Sequence, residues 1–321
     1  MFLKNKAIEI YKSMTFARCD DKESIFYFTK DDFDGLCAEP FEVKSKRGDT
    51  LRGYFYHYDI KFPDRVVVFD HGLGGGHTAY MKEIELLAYH GFLVVAYDHT
   101  GCMDSEGEGT NGLSQSLSDL DDVLAFLKTH PVTSDKKICV IGHSWGGFST
   151  MNACALHPEI HSIVSMSGFI SVDKMIKQNF SGPLAPYRKA IETVEREANP
   201  VFYTYNAIDS LKSTSAPVLL IYSDNDKMVH KKHSYDILKR ELSDRENISF
   251  ILEKGKEHNP NFSAEAVRQK NIFFKDLKKM RRKKLLKSAE ARARFVNLYN
   301  WHAITEQDMS VWERIFEHLE K

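Results

Sequence analysis

Lys136-Lys137-Ile138-Cys139-Val140-Ile141-Gly142-His143-Ser144-Trp145-Gly146-Gly147 is the stretch from which the rest of the chain is read. A β-branched run leads into the pattern G-x-S-x-G, and a helical pattern follows over 148–157. A tight turn between a strand and a helix forces its central residue into strained backbone geometry. Gly142, Gly146 and Gly147 remove side chains that would clash there. The Ser144 hydroxyl is then raised above the sheet, and the Trp145 amide falls at the helix start, where N–H groups lack partners. Ser144 is a candidate nucleophile and the Trp145 N–H a candidate oxyanion donor. A chance glycine-rich turn gives the same pattern, so the motif needs partners elsewhere in the chain.

On both sides of this stretch, strand and helix patterns alternate. A hairpin is expected from 41–45 and 51–57 around the turn 46–49. Continuous apolar runs at 65–69 and 92–97 suit strands covered on both faces. A helix over 78–90 separates them and ends at Gly91. A glycine-rich loop follows at 99–113. The helix over 115–129 carries Leu117, Leu120, Val123, Leu124 and Leu127 on one face, and His130-Pro131 stops it. Beyond the central stretch come strands at 161–167, 217–222 and 248–252, with a helix over 231–242. Repeated β-α units after a hairpin imply a mostly parallel sheet with an antiparallel start and helices on both faces.

Three segments lie outside that rhythm. Residues 1–40 read as an N-terminal helix over 1–15, with Ile8, Ile10, Tyr11 and Met14 roughly on one side, and an extension; 41–321 form the main domain. The segment 169–216 is too long for a plain connection and reads as a small helical cap inserted over the site. The C-terminal part, 262–321, is helical. It holds a basic run, Lys275, Lys278, Lys279, Arg281, Arg282, Lys283, Lys284 and Lys287, expected in one helix as a solvated face. It ends in an amphipathic pattern through Trp312, Ile315, Phe316 and Leu319.

Lys plus Arg is 44 against 45 for Asp plus Glu, which argues against nucleic acid as a partner. Cys19, Cys37, Cys102, Cys139 and Cys154 form no C-x-x-C pair and are odd in number. They suit a reducing compartment, so a cytoplasmic location is expected. No signal peptide and no membrane span are expected. His57, His71 and His77 fall near one another without H-E-x-x-H, so no metal and no cofactor are expected.

A serine hydroxyl needs a general base within hydrogen-bond reach, and the base needs an orienting group. The acid candidates follow the strand at 217–222: Asp226 first and Asp224 second, at a strand end where sites gather in parallel sheets. The base candidate is His258, in a loop after the strand at 248–252. His143 and His71 are its rivals among 14 histidines. The loop Asp70-His71-Gly72-Leu73-Gly74-Gly75-Gly76-His77 lets backbone N–H groups approach a ligand, with Leu73 N–H first and Gly74 second as partner to Trp145 N–H. It lacks the G-K-[ST] ending of a phosphate loop.

Over about 41–275 the chain resembles the α/β-hydrolase superfamily. The motifs that carry the likeness are Asp70-His71-Gly72-Leu73, Gly142-His143-Ser144-Trp145-Gly146, Asp226-Lys227-Met228-Val229 and Glu257-His258. The stretch 98–105 is similar to the D-x-R-G-x-G-x-S loop of many members but departs from it at Thr100 and Met103. The resemblance implies the chain order Ser144, Asp226, His258 for a catalytic triad. It also implies esterase, lipase or aminopeptidase-type serine chemistry. The tryptophan after the serine is similar to the proline iminopeptidase elbow, but that enzyme's cap is larger than 169–216 provides. The expectation is a serine hydrolase of carboxylic esters acting through an acyl-enzyme on a small-molecule substrate. The alternatives are a peptidase or amidase of small aminoacyl substrates and a non-catalytic binding homologue.

Overall fold

The computed structural model describes residues 2–20 and 25–321. Met1 and the positions 21–24, part of the N-terminal segment 1–40, lie outside the described residues. The strands are β1 (Cys37–Lys44), β2 (Thr50–His57), β3 (Arg65–Asp70), β4 (Leu93–Tyr97), β5 (Lys137–His143), β6 (Ser162–Met166), β7 (Val218–Ser223) and β8 (Ile248–Glu253). They form one sheet in the order β1-β2-β4-β3-β5-β6-β7-β8. β1 with β2 and β2 with β4 are antiparallel, and every later pairing is parallel. This is the α/β fold class read from the sequence. Every residue of β3, β4, β6 and β7 is buried, because helices cover both faces.

The helices are α1 (Phe2–Thr15), α2 (Met81–His90), α3 (Gln115–Leu127), α4 (Trp145–Ala153), α5 (Val172–Asn179), α6 (Arg188–Ala198), α7 (Ala207–Ser213), α8 (Tyr235–Leu242), α9 (Ala264–Arg282), α10 (Ala289–Val296), α11 (Trp301–Ile304) and α12 (Met309–Leu319). One apolar core packs Leu117, Leu120, Phe148, Met151, Leu211 and Leu238 against the sheet. The other packs Ile84, Leu87, Phe273, Trp312 and Ile315 on the opposite face. The terminal helix thus docks through the residues its periodicity marked: Trp312, Ile315, Phe316 and Leu319 are all buried. Among the described residues no helix is long and apolar enough to cross a membrane.

Several boundaries differ from the sequence reading. β1 opens at Cys37, inside the segment assigned to the N-terminal extension. The helix after Ser144 starts at Trp145 rather than 148, because glycines that look like helix breakers in sequence form its first turn. α9 ends at Arg282, and Lys284 adopts φ +55, so Lys283, Lys284 and Lys287 fall beyond the helix that was to hold the whole basic run.

The segment between β6 and β7 contains α5, α6 and α7. α7 packs on the main body: Leu211 is fully buried, and Ser210 Oγ donates to Asn152 Oδ1 of α4 at 2.9 Å. α6 is tied down by one carboxylate. Tyr11 Oη of α1 donates to Glu195 Oε1 at 2.6 Å, and the Leu113 amide donates to Glu195 Oε2 at 2.9 Å.

Glu195 is fully buried, and burial raises its carboxyl to about 7 although both hydrogen bonds pull the other way. The native state therefore holds this proton where the unfolded chain has released it. As pH rises from about 4.5 to about 7, this group costs up to about 3 kcal/mol of stability. Glu195→Gln is expected to gain stability relative to wild type between pH 5 and pH 7.5. Urea unfolding at the two pH values measures that difference, and an unchanged difference contradicts the assignment.

Candidate active site

The site lies at the C-terminal ends of β5, β7 and β8. β5 ends at His143, and Ser144 takes φ 58°, ψ −109° before α4 begins. That conformation is costly for a residue with a Cβ, so its surroundings must over-determine it. The Ser144 amide donates to Met166 O of β6 at 2.8 Å, and its carbonyl accepts from Phe148 N at 3.0 Å. The turn also requires close approach. A Cβ on Gly146 would lie 2.0 Å from the Asp70 carbonyl oxygen, and one on Gly142 would lie 2.3 Å from Thr150 Oγ1.

The structure brings Ser144, His258 and Asp226 into one hydrogen-bonded line. His258 Nε2 lies 2.8 Å from Ser144 Oγ, and His258 Nδ1 lies 2.7 Å from Asp226 Oδ2. A carboxylate only accepts, so Nδ1 carries the proton and the Nε2 lone pair faces the hydroxyl. Asp226 is buried, and its Oδ1 accepts from the amides of Met228 and Val229 at 2.7 and 3.0 Å. Asp224 takes a different place. It is exposed and accepts the Gly255 amide at 2.9 Å. With Asn225 Oδ1, which accepts Glu257 N at 2.8 Å, and Ser223 Oγ, which accepts Lys256 N at 3.1 Å, it shapes the loop that carries His258.

The rival histidines are engaged elsewhere. His143 is buried, with Nδ1 2.8 Å from Tyr80 Oη and Nε2 2.7 Å from the His258 carbonyl oxygen. Burial, with the neighbouring His258, holds it well below the usual histidine range. His71 Nε2 accepts from the His99 amide at 3.0 Å, so its Nδ1–H donates to Gly72 O at 2.8 Å. Burial pushes His71 down to about 3 and keeps it neutral.

His71 orients the candidate donor loop. A trans peptide is planar, with its C=O and N–H pointing opposite ways. Holding Gly72 O therefore sets the direction of the Leu73 N–H in the same peptide plane. Gly74, the second candidate donor, has φ +105. Trp145 is the first residue of α4, whose opening amides have no partner within the helix. Its indole is 1% exposed and donates to Leu113 O at 2.6 Å. The side chain is therefore committed to the core, where it anchors the start of α4.

A buried polar cluster beneath this loop went unread in the sequence. His99 is fully buried, with Nε2 2.9 Å from Asp70 Oδ1 and Nδ1 3.3 Å from Asp119 Oδ2. Burial alone would lower its pKa, but the two carboxylates raise it to about 9, so it is an imidazolium at neutral pH. Tyr97 Oη donates to Asp70 Oδ1 at 2.8 Å, and Ser149 Oγ donates to Asp70 Oδ2. Thr100, where the resembling loop motif has arginine, gives both its amide and its hydroxyl to Asp119 at 2.8 Å. The available signal was the pair of Asp-His dipeptides, 70–71 and 98–99, closing two apolar strands that proved to be neighbours. Among the described residues no group of three or more His, Cys, Asp or Glu could hold a metal ion.

The family model described as serine aminopeptidase, S33, matches residues 61–206. A thiohydrolase of Arthrinium phaeospermum is 29% identical over 133 residues, which are 40% of this chain and 42% of the relative. A proline iminopeptidase of Saccharolobus solfataricus is 24% identical over 172 residues, 52% of this chain and 51% of the relative. The chain spans about half the length of the curated relatives it matches. Among solved structures, an esterase of Pyrococcus furiosus superposes with a TM-score of 0.58 at 19% identity, covering 88% of this chain and 99% of that one. That likeness is one of fold.

The 2.0 Å approach at Gly146 makes a direct prediction. Gly146→Ala must push the turn away from the end of β3, and is expected to cost more than about 2 kcal/mol in urea unfolding. A stability equal to wild type would mean that the turn does not press on β3.

Proposed function

We propose that the chain acts as a serine hydrolase of the α/β-hydrolase superfamily that cleaves carboxylic esters. The observation that carries this reading is the line Asp226–His258–Ser144, with its proton positions fixed by the donors and acceptors available. Ser144 Oγ attacks the ester carbonyl while His258 Nε2 takes its proton. Asp226 stabilises the imidazolium that forms. The amides of Leu73 and Trp145 donate hydrogen bonds to the oxyanion that develops on the carbonyl oxygen, each worth about 2.7–4 kcal/mol to the transition state. His258 then protonates the departing alcohol, leaving an acyl group on Ser144. Water, deprotonated by His258, releases the carboxylic acid and restores the serine.

A peptidase reading draws on the name of the family model and on the iminopeptidase relative. Recognition of a free amine would call for an uncommitted acid near the pocket. Glu195, the buried acid of α6, is committed to Tyr11 and Leu113 and so is not that acid. One relative is named a thiohydrolase, so thioesters belong beside esters and aminoacyl amides in the substrate panel. Five free thiols fit a reducing compartment such as the cytoplasm.

Ser144→Ala is expected to abolish ester hydrolysis and labelling by a fluorophosphonate probe. Asp226→Asn should lower kcat by about 10³–10⁴-fold, while Asp224→Asn should stay within about threefold of wild type. Faster turnover of aminoacyl amides than of esters would transfer the assignment to the peptidase reading. Ligand binding without labelling of wild-type protein would point to a non-catalytic homologue.

A further inference from the structure

Two residues near the site have no part in the scheme above, yet their hydrogen bonds bridge its two halves. Gly72 N donates to Tyr80 Oη at 3.1 Å, Tyr80 Oη lies 2.8 Å from His143 Nδ1, and His143 Nε2 lies 2.7 Å from His258 O. The direction of each bond follows from the chemistry of its ends. A carbonyl oxygen only accepts, so His143 Nε2 must carry the hydrogen. A neutral imidazole then has a bare Nδ1, so the Tyr80 hydroxyl must donate to it. The tyrosine oxygen is left with lone pairs, and the Gly72 N–H points at one of them.

We propose that Tyr80 and His143 are positioning residues, forming a one-way hydrogen-bond relay that holds the Gly72–Leu73 donor loop and the His258 loop at a fixed mutual distance. The inference rests on the ester-hydrolase reading for its kinetic consequence only. The relay joins the end of β3 to the loop after β8, strands separated in the sheet by β5, β6 and β7. The strut acts beside another tie on this side, Asn261 Nδ2 of the segment after His258 donating to Glu83 Oε1 of α2 at 3.0 Å, but it is the strut that reaches the Gly72 amide. The oxyanion donors and the base must act on one substrate at one moment, so their relative placement affects kcat more than binding.

The relay works only while His143 is neutral, since a proton on Nδ1 would oppose the tyrosine hydroxyl. The titratable groups facing His143 are His258, Lys270 and Tyr80. His258 and Lys270, as cations, both disfavour a second positive charge, and burial acts in the same direction. Tyr80 is faced by Glu83, Tyr27 and Asp70, and burial with these neighbours holds its hydroxyl protonated. His143 thus stays neutral when His258 takes up a proton during turnover.

The test has a structural arm and a kinetic arm. In the structural arm, ¹⁵N-resolved imidazole NMR of wild-type protein at pH 7 should find His143 neutral, with its proton on Nε2. A proton on Nδ1, or on both nitrogens, overturns the relay whether or not the protein hydrolyses esters. In the kinetic arm, Tyr80→Phe should lower kcat for a short acyl ester by about tenfold or more, with KM changed less than about threefold. Wild-type kcat in a folded Tyr80→Phe protein also overturns it. If that variant fails to fold, His143→Gln and His143→Leu decide. Glutamine supplies one donor and one acceptor and should retain more activity than leucine, and equal kcat in the two rejects the relay. Loss of all ester hydrolysis in wild type would sink the enzymatic reading alone, leaving the NMR result to judge the relay.

Discussion

Everything in the site depends on how closely the turn at Ser144 sits against the end of β3. Gly146 comes near enough to the Asp70 carbonyl that no side chain fits between them. That contact fixes three things together. It sets the strained backbone of Ser144, it places the start of α4, and it brings the loop after β3 alongside. The strain is sustained by β6, through the Met166 carbonyl, and by the first turn of α4. A looser approach would relax the serine and separate it from the loop after β3 in a single movement.

Beneath this contact the protein holds a polar core where two strands end. Asp70, His99 and Asp119 alternate in charge with no solvent access, and tyrosine, serine and threonine hydroxyls take up the remaining acceptor sites. An isolated buried imidazolium would be expensive, and two flanking carboxylates offset that cost. The adjacent His71 and His143 are neutral for the complementary reason: burial and a neighbouring imidazole oppose their charging, and Asp98, the one carboxylate that acts on His71, does not outweigh them. Environment alone assigns three histidines within one small region to different protonation states.

The parts legible in the sequence were those set by local pattern. Apolar runs gave the buried strands, alternation with helices gave the parallel sheet, and the order of Ser144, Asp226 and His258 named the residues that the fold brings together. Harder to read were features that depend on which strands become neighbours. His99 reads as a loop residue until β3 and β4 lie side by side, when it falls between carboxylates from two distant stretches. Trp145 reads in sequence only through its backbone N–H; that its indole is buried and donates to Leu113 O depends on a stretch 32 residues away. The choice between Asp224 and Asp226 needed the loop geometry, since both follow the same strand and only Asp226 turns inward.

Leu113 links two regions that differ in role. Its amide is held by Glu195 of α6, and its carbonyl by the indole of Trp145 at the start of α4. The inserted segment is therefore bolted to the start of α4 through this residue, while Gly182–Tyr187, on the α5 side of α6, is largely exposed. Chain length and side-chain size can drift along that exposed arc without disturbing the bolt. Changes along 181–187 are thereby mechanically insulated from the turn at Ser144.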